Sequence, residues 1–421
     1  MNDFRALVFY KNIIFTIYVV LMAVQIIPIE GYNISPIKVI AMSLAPFWIV
    51  SFGYFKFLSD AFFLTVMNLI IMIICASLAS PLVAWDRIGY RAMYILMFIC
   101  VFGIIYDDCI DISYLKKLLI ILSVAYGLVF FIQHVLFLLG IQQIPILNYY
   151  ASVTMAGVFK PNGLSCEPSH AARILTVIYW GILKLTEIEQ GKRVELRYVF
   201  KNLPYCSLAF LFSMITMGSA TGMIGILLIL SYFFNRNIGI FLFMVIGLIL
   251  MMNVEIEHAQ IQRIQKVFNS LFSDDVSDTL KRSEGSGAVR IMPFINTFRM
   301  DLFSIDTWIG QGSVVTETDF TKRVFSETRY VGDITSFGLL SYIVSLVFVF
   351  KCCINKFFSM ETLMFLLLAT FSVGSVYYTW FMLMVFAAIK YYENYMLVDV
   401  NTKTYNNEYR VFIKSDVRHN G

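Results

Sequence analysis

The chain is a succession of continuous apolar runs, most of them about 17 to 25 residues long, and no other feature restricts its fold so severely. In an apolar medium every backbone N–H and C=O has to be paired inside the protein, which leaves helices or closed barrels as the spanning structures. Barrel strands read as short alternating segments, whereas these runs are unbroken. The chain is therefore read as all-α, a polytopic integral membrane protein. Its composition agrees: of 421 residues 59% are hydrophobic and 14% charged, and the mean hydropathy is +0.75. The first run, from Ile13 to about Ile29, lacks a small-residue cleavage pattern and is read as a retained span rather than a signal peptide. A formal net charge of +4 is no evidence for nucleic acid; the placement of the basic residues carries the information.

The runs predict about 12 transmembrane helices. Residues 1–140 hold the first five, near 10–28, 36–55, 60–79, 90–106 and 116–139. A first large outside loop follows at 141–168, then four spans in 169–254, with the third of these at 220–235 after one at 201–217 and the last at 238–253. A second outside loop covers 255–333, three spans lie in 334–391 with the middle one at 359–374, and 392–421 is a tail. Orientation follows from lysine and arginine in the short loops. Arg5, Lys11, Lys56, Lys116, Lys117, Lys184, Lys192, Arg193, Arg197, Lys201, Arg236, Lys351 and Lys356 fall on one side, which is assigned to the cytoplasm together with both termini. The opposite short loops are nearly bare, apart from Lys38 and the pair Arg87 and Arg91. Both large loops then lie outside, and long outside loops are where chemistry is expected. The second contains two amphipathic patterns, Glu257 to Phe272 and Arg290 to Ile305, the latter with Ile291, Phe294, Ile295, Phe298 and Leu302 as its apolar face.

The seven cysteines show no zinc-ligand spacing, and only Cys166 falls in an outside loop, so a disulfide framework is not expected. Nucleotide-binding fingerprints and a His-Glu-x-x-His helix are absent, and His134, His170, His258 and His419 are dispersed. No metal or cofactor is expected.

Ionisable residues concentrate instead in Lys160-Pro-Asn-Gly-Leu-Ser-Cys-Glu-Pro-Ser-His-Ala-Ala-Arg173, where a polar segment becomes an apolar helix. Lys160, Glu167, His170 and Arg173 are candidate site residues, because a charge at membrane depth costs roughly 2.5 to 3.5 kcal/mol on insertion scales and is functional by default. A plainer role suits two of them equally: Glu167 as a cap on the positive end of the helix, Arg173 snorkelling to head groups. In the second loop Arg290 follows Gly285-Ser-Gly287 at a predicted helix start, combining a guanidinium with free backbone amides, a pairing that favours anions; a solvated loop arginine is the alternative. Two outside loops carrying cations over a helical bundle suit an anionic, lipid-linked substrate.

Four motifs then carry a family resemblance. They are Phe159-Lys-Pro-Asn-Gly-Leu-Ser-Cys-Glu-Pro-Ser-His170; Thr216-Met-Gly-Ser-Ala-Thr-Gly222; Gly285-Ser-Gly-Ala-Val-Arg290 leading to Trp308-Ile-Gly-Gln-Gly312; and Asp333-Ile-Thr-Ser-Phe-Gly-Leu-Leu340. In their order the chain resembles the Wzy-type polysaccharide polymerases, which join repeat units of O-antigen or capsule and are related to the O-antigen ligases. The sequence departs from the pattern in three places. Ser219-Ala220 stands where Ser-Arg is usual, Lys160 stands at the usual arginine, and Ser326-Glu-Thr-Arg-Tyr-Val-Gly332 has no histidine where ligases carry one.

The resemblance implies a GT-C-like membrane glycosyltransferase of the bacterial inner membrane. It would transfer a growing glycan from an undecaprenyl diphosphate carrier to a hydroxyl of an incoming carrier-linked repeat unit at the periplasmic face. It implies diphosphate binding by Arg290, Lys160, Arg173, Arg299 and Arg329, and Glu167 as general base with Asp333 and His170 in reserve. The partners it implies are the lipid-linked donor and acceptor, a chain-length regulator and the flippase of the same pathway. A ligase and, further off, a repeat-unit flippase are the competing functions; this chain shows no convincing internal repeat of the kind flippases tend to carry.

Overall fold

The structure is a computed structural model, and it describes residues 2–25, 36–54, 59–79, 85–107, 109–141, 159–233, 288–311, 330–374 and 376–395. These form helices and connecting turns, with no strand among the described residues. The helices are α1 (Asn2–Ala23), α2 (Pro36–Ser51), α3 (Ser59–Ala79), α4 (Trp85–Tyr106), α5 (Ile112–Leu138), α6 (Pro168–Gln190), α7 (Leu196–Asn202), α8 (Pro204–Thr216) and α9 (Ala220–Tyr232). They continue as α10 (Ala288–Phe298), α11 (Ile305–Ile309), α12 (Ile334–Cys352), α13 (Met360–Ala369) and α14 (377–395).

Two helices are buried on all sides and form the axis of the bundle. Every residue from Ile174 to Leu183 of α6 is buried, and so is every residue from Thr379 to Ile389 of α14. A helix that is apolar all round has no face to offer water, so it belongs inside a bundle. The two meet where Trp180 packs edge-on against Phe386, ring centroids 5.2 Å apart. Close approach depends on small residues, as expected where van der Waals packing drives association in lipid. A Cβ at Gly181 would stand 3.0 Å from Leu119 of α5 and 3.1 Å from Val385 of α14, and one at Gly127 would meet Ala209 of α8 at 2.6 Å. On the other flank Phe98 of α4 contacts Phe348 of α12 and Trp380 of α14, and α3 lies along α12.

The perimeter is apolar as well. Leu78, Ile121 and Leu208 are 67%, 64% and 68% exposed, the reverse of a water-facing surface. Five helices, α1, α3, α4, α5 and α12, are long and apolar enough to cross a bilayer, and α7 with α8 makes a sixth if that bent pair is one span. The protein is a helical membrane protein.

Several helices are shorter than their apolar runs predict. Pro204 opens α8 at a bend of 105° from α7, since proline cannot continue the α7 ladder. The expected full spans at 201–217, 220–235 and 359–374 are helices of 13, 13 and 10 residues. These reach only about 20, 20 and 15 Å, less than a hydrocarbon core of about 30 Å. The predicted amphipathic run from Arg290 to Ile305 is not one helix: α10 ends at Phe298, and Phe298 and Leu302 of its apolar face are 90% and 54% exposed. The predicted span at 238–253, the pattern at Glu257 to Phe272 and residues 396–421 of the tail lie outside the described residues.

Candidate functional site

The segment predicted to be a polar outside loop is built into the bundle from Pro161 to Ser165, all buried. Gln133 of α5 clasps it from both sides, donating to Asn162 Oδ1 at 3.0 Å and accepting from the Gly163 N–H at 3.0 Å. Gly163 has φ +59 and its Cβ position lies 2.6 Å from the Phe130 ring, so this turn takes only glycine. Leu164 O accepts from the Gln25 N–H at 2.8 Å at the end of α1, and Ser165 Oγ pairs with Tyr126 OH at 2.9 Å. Such a network satisfies a buried backbone that would otherwise be costly. It holds rigid the approach to α6.

α6 begins at Pro168 in its first turn, with Glu167 extended at the cap (φ −138, ψ 150). The Glu167 carboxylate makes no capping bond, which corrects the capping role considered for it; it accepts from Ser169 Oγ at 3.3 Å and lies 3.8 Å from His170 Nε2. Its side chain is 64% exposed and available to a substrate.

One turn into α6, side chains meet the start of α14. His170 Nδ1 is 3.4 Å from Tyr377 OH, and its ring lies 4.7 Å from that of Tyr378. Arg173 stands over the Tyr378 ring at 4.3 Å, and its buried Nε has no hydrogen-bond partner among the described residues. Over the neighbouring Tyr377 ring, at 4.5 Å, sits Lys38 of α2. The two tyrosine rings are 6.0 Å apart, so Lys38 and Arg173 are held over adjacent aromatic faces.

Lys38 is fully buried, its relative exposure 0%. Its ammonium donates to Gln25 Oε1, and among the described residues no carboxylate lies within ion-pair distance. A buried ammonium costs several kcal/mol even after relaxation, and an anion brought beside Lys38 would offset that cost and favour its charged form. Beside it and Tyr377 stands the Cys166 thiol, whose pKa burial pushes up to about 11, the Lys38 charge pulling the other way. At neutral pH this cysteine is a thiol, not a nucleophilic thiolate.

A second charged group lies nearby. Asp333 precedes α12 without capping it and pairs with Arg91 of α4 at 3.1 Å. The other Arg91 nitrogen donates to Ser345 Oγ at 2.6 Å, where Asn68 of α3 also donates, at 2.7 Å. The Arg91 Nε is buried and has no hydrogen-bond partner among the described residues, beside a cavity of about 10 Å³ lined by Arg91, Asp333, Tyr342 and Val373.

The segment before α14 joins the two groups. Gly374 lies against the Asp333 carboxylate, with its Cβ position 3.5 Å from Oδ2, and Trp380 Nε1 donates to Gly374 O at 2.9 Å. Tyr377 and Tyr378, only three and four residues on, are at most about 14 Å away along the chain. Tyr94, one turn from Arg91 on α4, stacks on Trp380 at 6.4 Å. Lys38, Arg91, Glu167, His170, Arg173 and Asp333 thus occupy one end of the bundle.

The second predicted loop reaches the same end through its later part. Val331 N donates to Thr297 Oγ1 of α10 at 2.9 Å, and Gln311 N to Thr335 O at 2.8 Å. Arg299, just past the end of α10, is exposed and, among the described residues, makes no side-chain contact with the group just described. Arg290 lies in the first turn of α10, where the described structure extends to its backbone only, and Arg329 is outside the described residues. Lys160 is half-buried at the start of the segment that Gln133 clasps. Among the described residues no three His, Cys, Asp or Glu side chains are grouped as a metal site would need.

Sequence reasoning missed Lys38, Arg91, Tyr377 and Tyr378 as site residues. The signal for two of them was present: Lys38 and Arg91 are among the few basic residues on an otherwise bare side. The tyrosines carried none, being two of 24 in the chain.

Comparison with models of protein families, with curated proteins and with solved structures finds no match to this chain.

Proposed function

We propose that the protein is a Wzy-type polymerase of the bacterial inner membrane, a GT-C-like helical bundle with both termini cytoplasmic. The charged end of the bundle is then periplasmic. The reaction joins undecaprenyl-diphosphate-linked repeat units by passing the growing glycan to a hydroxyl of the incoming unit. The observation that carries this reading is Lys38, buried with no carboxylate at ion-pair distance among the described residues and set beside Arg173 over two tyrosine faces.

As the sugar–phosphate bond breaks, negative charge grows on the leaving diphosphate, and fixed cations that need no reorganisation stabilise it most. Lys38 and Arg173 supply that charge, with Lys160 and Arg290 at its approaches. Arg91 is already neutralised by Asp333 and orients the α4–α12 seam. Glu167, exposed and next to His170, takes the proton of the acceptor hydroxyl, and His170 lies close enough to carry it away. Tyr377 is buried under Lys38 and serves to hold that side chain, while Tyr378, half-buried, holds Arg173.

The test is the glycan of a deletion strain complemented with variants. Loss of a polymerase leaves single repeat units on the final acceptor, and Lys38→Met, Arg173→Gln and Glu167→Gln should each fail to restore long chains. Long chains accumulating on the carrier lipid instead would mean a ligase.

A further inference from the structure

The opposite end of the bundle holds a larger cavity, of about 250 Å³, between the ends of α6, α9, α13 and α14. A single water needs about 10 to 15 Å³ by the same kind of measure, so the space takes a group of several heavy atoms. Its charged lining is Lys184, Glu187, Arg193, Lys356, Glu361 and Glu393, balanced in number but not in position. Inside, Lys184 pairs with Glu393 at 2.8 Å and Glu187 at 3.5 Å, while Tyr232 OH donates to Glu187 at 2.7 Å and Asn355 to Glu393 at 2.7 Å. Glu361, in the first turn of α13, lines the same space. It is only 8% exposed and has no hydrogen bond or ion pair among the described residues. Three carboxylates therefore face one ammonium, and one of them lacks a donor. The balancing cations lie further out: Lys356 is exposed, and Arg193, stacked on Tyr232 at 4.8 Å, is half-buried.

A ligand matching this polarity has a positive group that enters first and a negative group that stays at the mouth. Its positive group must donate N–H bonds, because a carboxylate without a donor gains little from a fully alkylated ammonium. The surroundings point to a lipid. Phe357 and Phe358, next to Lys356, are 60% and 94% exposed, and Leu363 and Leu367 continue the apolar surface along α13 at 39% each. Acyl chains have somewhere to lie directly outside the mouth.

We propose that this cavity binds the headgroup of an aminophospholipid, its primary ammonium donating to Glu361 and the inner carboxylates and its phosphate meeting Arg193 and Lys356. The inference rests on the bundle being in a membrane and not on the polymerase reading, so either can fail alone.

The test uses the purified full chain in detergent, titrated with phosphatidylethanolamine, phosphatidylcholine or phosphatidylglycerol in mixed micelles, with bound lipid measured by native mass spectrometry. Phosphatidylethanolamine should bind about tenfold tighter than phosphatidylcholine, which has the same charges but no N–H donors, a difference expected for one charge-assisted hydrogen bond. Glu361→Gln should remove that preference, and Arg193→Gln with Lys356→Gln should weaken phosphatidylethanolamine and phosphatidylcholine alike. Equal binding of the two zwitterionic lipids, or an unchanged preference in folded Glu361→Gln, overturns the proposal. Free phosphoethanolamine binding as tightly as the lipid overturns the lipid as its source. Should Glu361→Gln not fold, the comparison of the two lipids on the unaltered protein decides by itself.

Discussion

Replacing Lys38 by methionine separates a structural cation from a functional one. The substitution keeps the length and apolar stem of the side chain and removes the ammonium, so the fully buried position stays filled. Two energies oppose each other. Removing a buried charge relieves a penalty of several kcal/mol, while Gln25 Oε1 loses the donor it has in Lys38, at about 1 to 3 kcal/mol. The Tyr377 cation–π contact at 4.5 Å goes too, worth about 2 kcal/mol when desolvated. The balance lies near zero, so the variant should reach the membrane in normal amounts and unfold within a few degrees of the parent in detergent. Function should fall sharply. If Lys38 gives one charge-assisted hydrogen bond to the leaving diphosphate, about 1.5 to 3 kcal/mol is lost, which lowers the rate about 10- to 150-fold. The assay is glycan length in a deletion strain carrying Lys38→Met, beside thermal unfolding of the purified variant. Chains of normal length would refute the reasoning, as would a large drop in unfolding temperature that accounts for the loss of polymer.

Other expectations follow from the same geometry. Arg91→Ala leaves Asp333 without its partner and should destabilise by about 2 to 3 kcal/mol, below the usual figure for a buried pair because the Asp333 side chain is 37% exposed; Arg91→Met combined with Asp333→Asn should recover most of it, read by thermal unfolding. Gly338→Ala should cost at least about 1 to 3 kcal/mol and lower the protein level in membranes, because φ is +78 there and the added Cβ would run into the Trp308 carbonyl; a normal level would show that the α11–α12 contact is dispensable. Cys166 should react with maleimide far more slowly at pH 7.5 than a free thiol and speed up as pH approaches about 11, since burial favours its protonated form; fast labelling at neutral pH would contradict the buried turn. Arg173→Gln should shorten glycans without loss of protein, because its guanidinium is held by a ring face rather than by a structural carboxylate, and immunoblot with glycan profiling reads both.

The apolar runs by themselves determined that this chain is a helical membrane protein, because a continuous apolar segment of such length has one way to satisfy its backbone in lipid. The start of α6 was equally legible, through Glu167-Pro168 and the change from polar to apolar sequence. Hydropathy could not give the lengths of α8, α9 and α13, because it counts apolar residues and not the bends at Pro204 or at Thr370 and Phe371, whose φ values are +52 and +51. It also took residues 161–165 for an exposed loop: their polarity looks the same whether water or Gln133 and Tyr126 satisfies it. The partnership of Lys38 with Tyr377 spans 339 positions and that of Arg91 with Asp333 spans 242. No local pattern encodes such pairs, since they exist only once α2, α4, α12 and α14 pack side by side, and it is packing that turns scattered cations into a site.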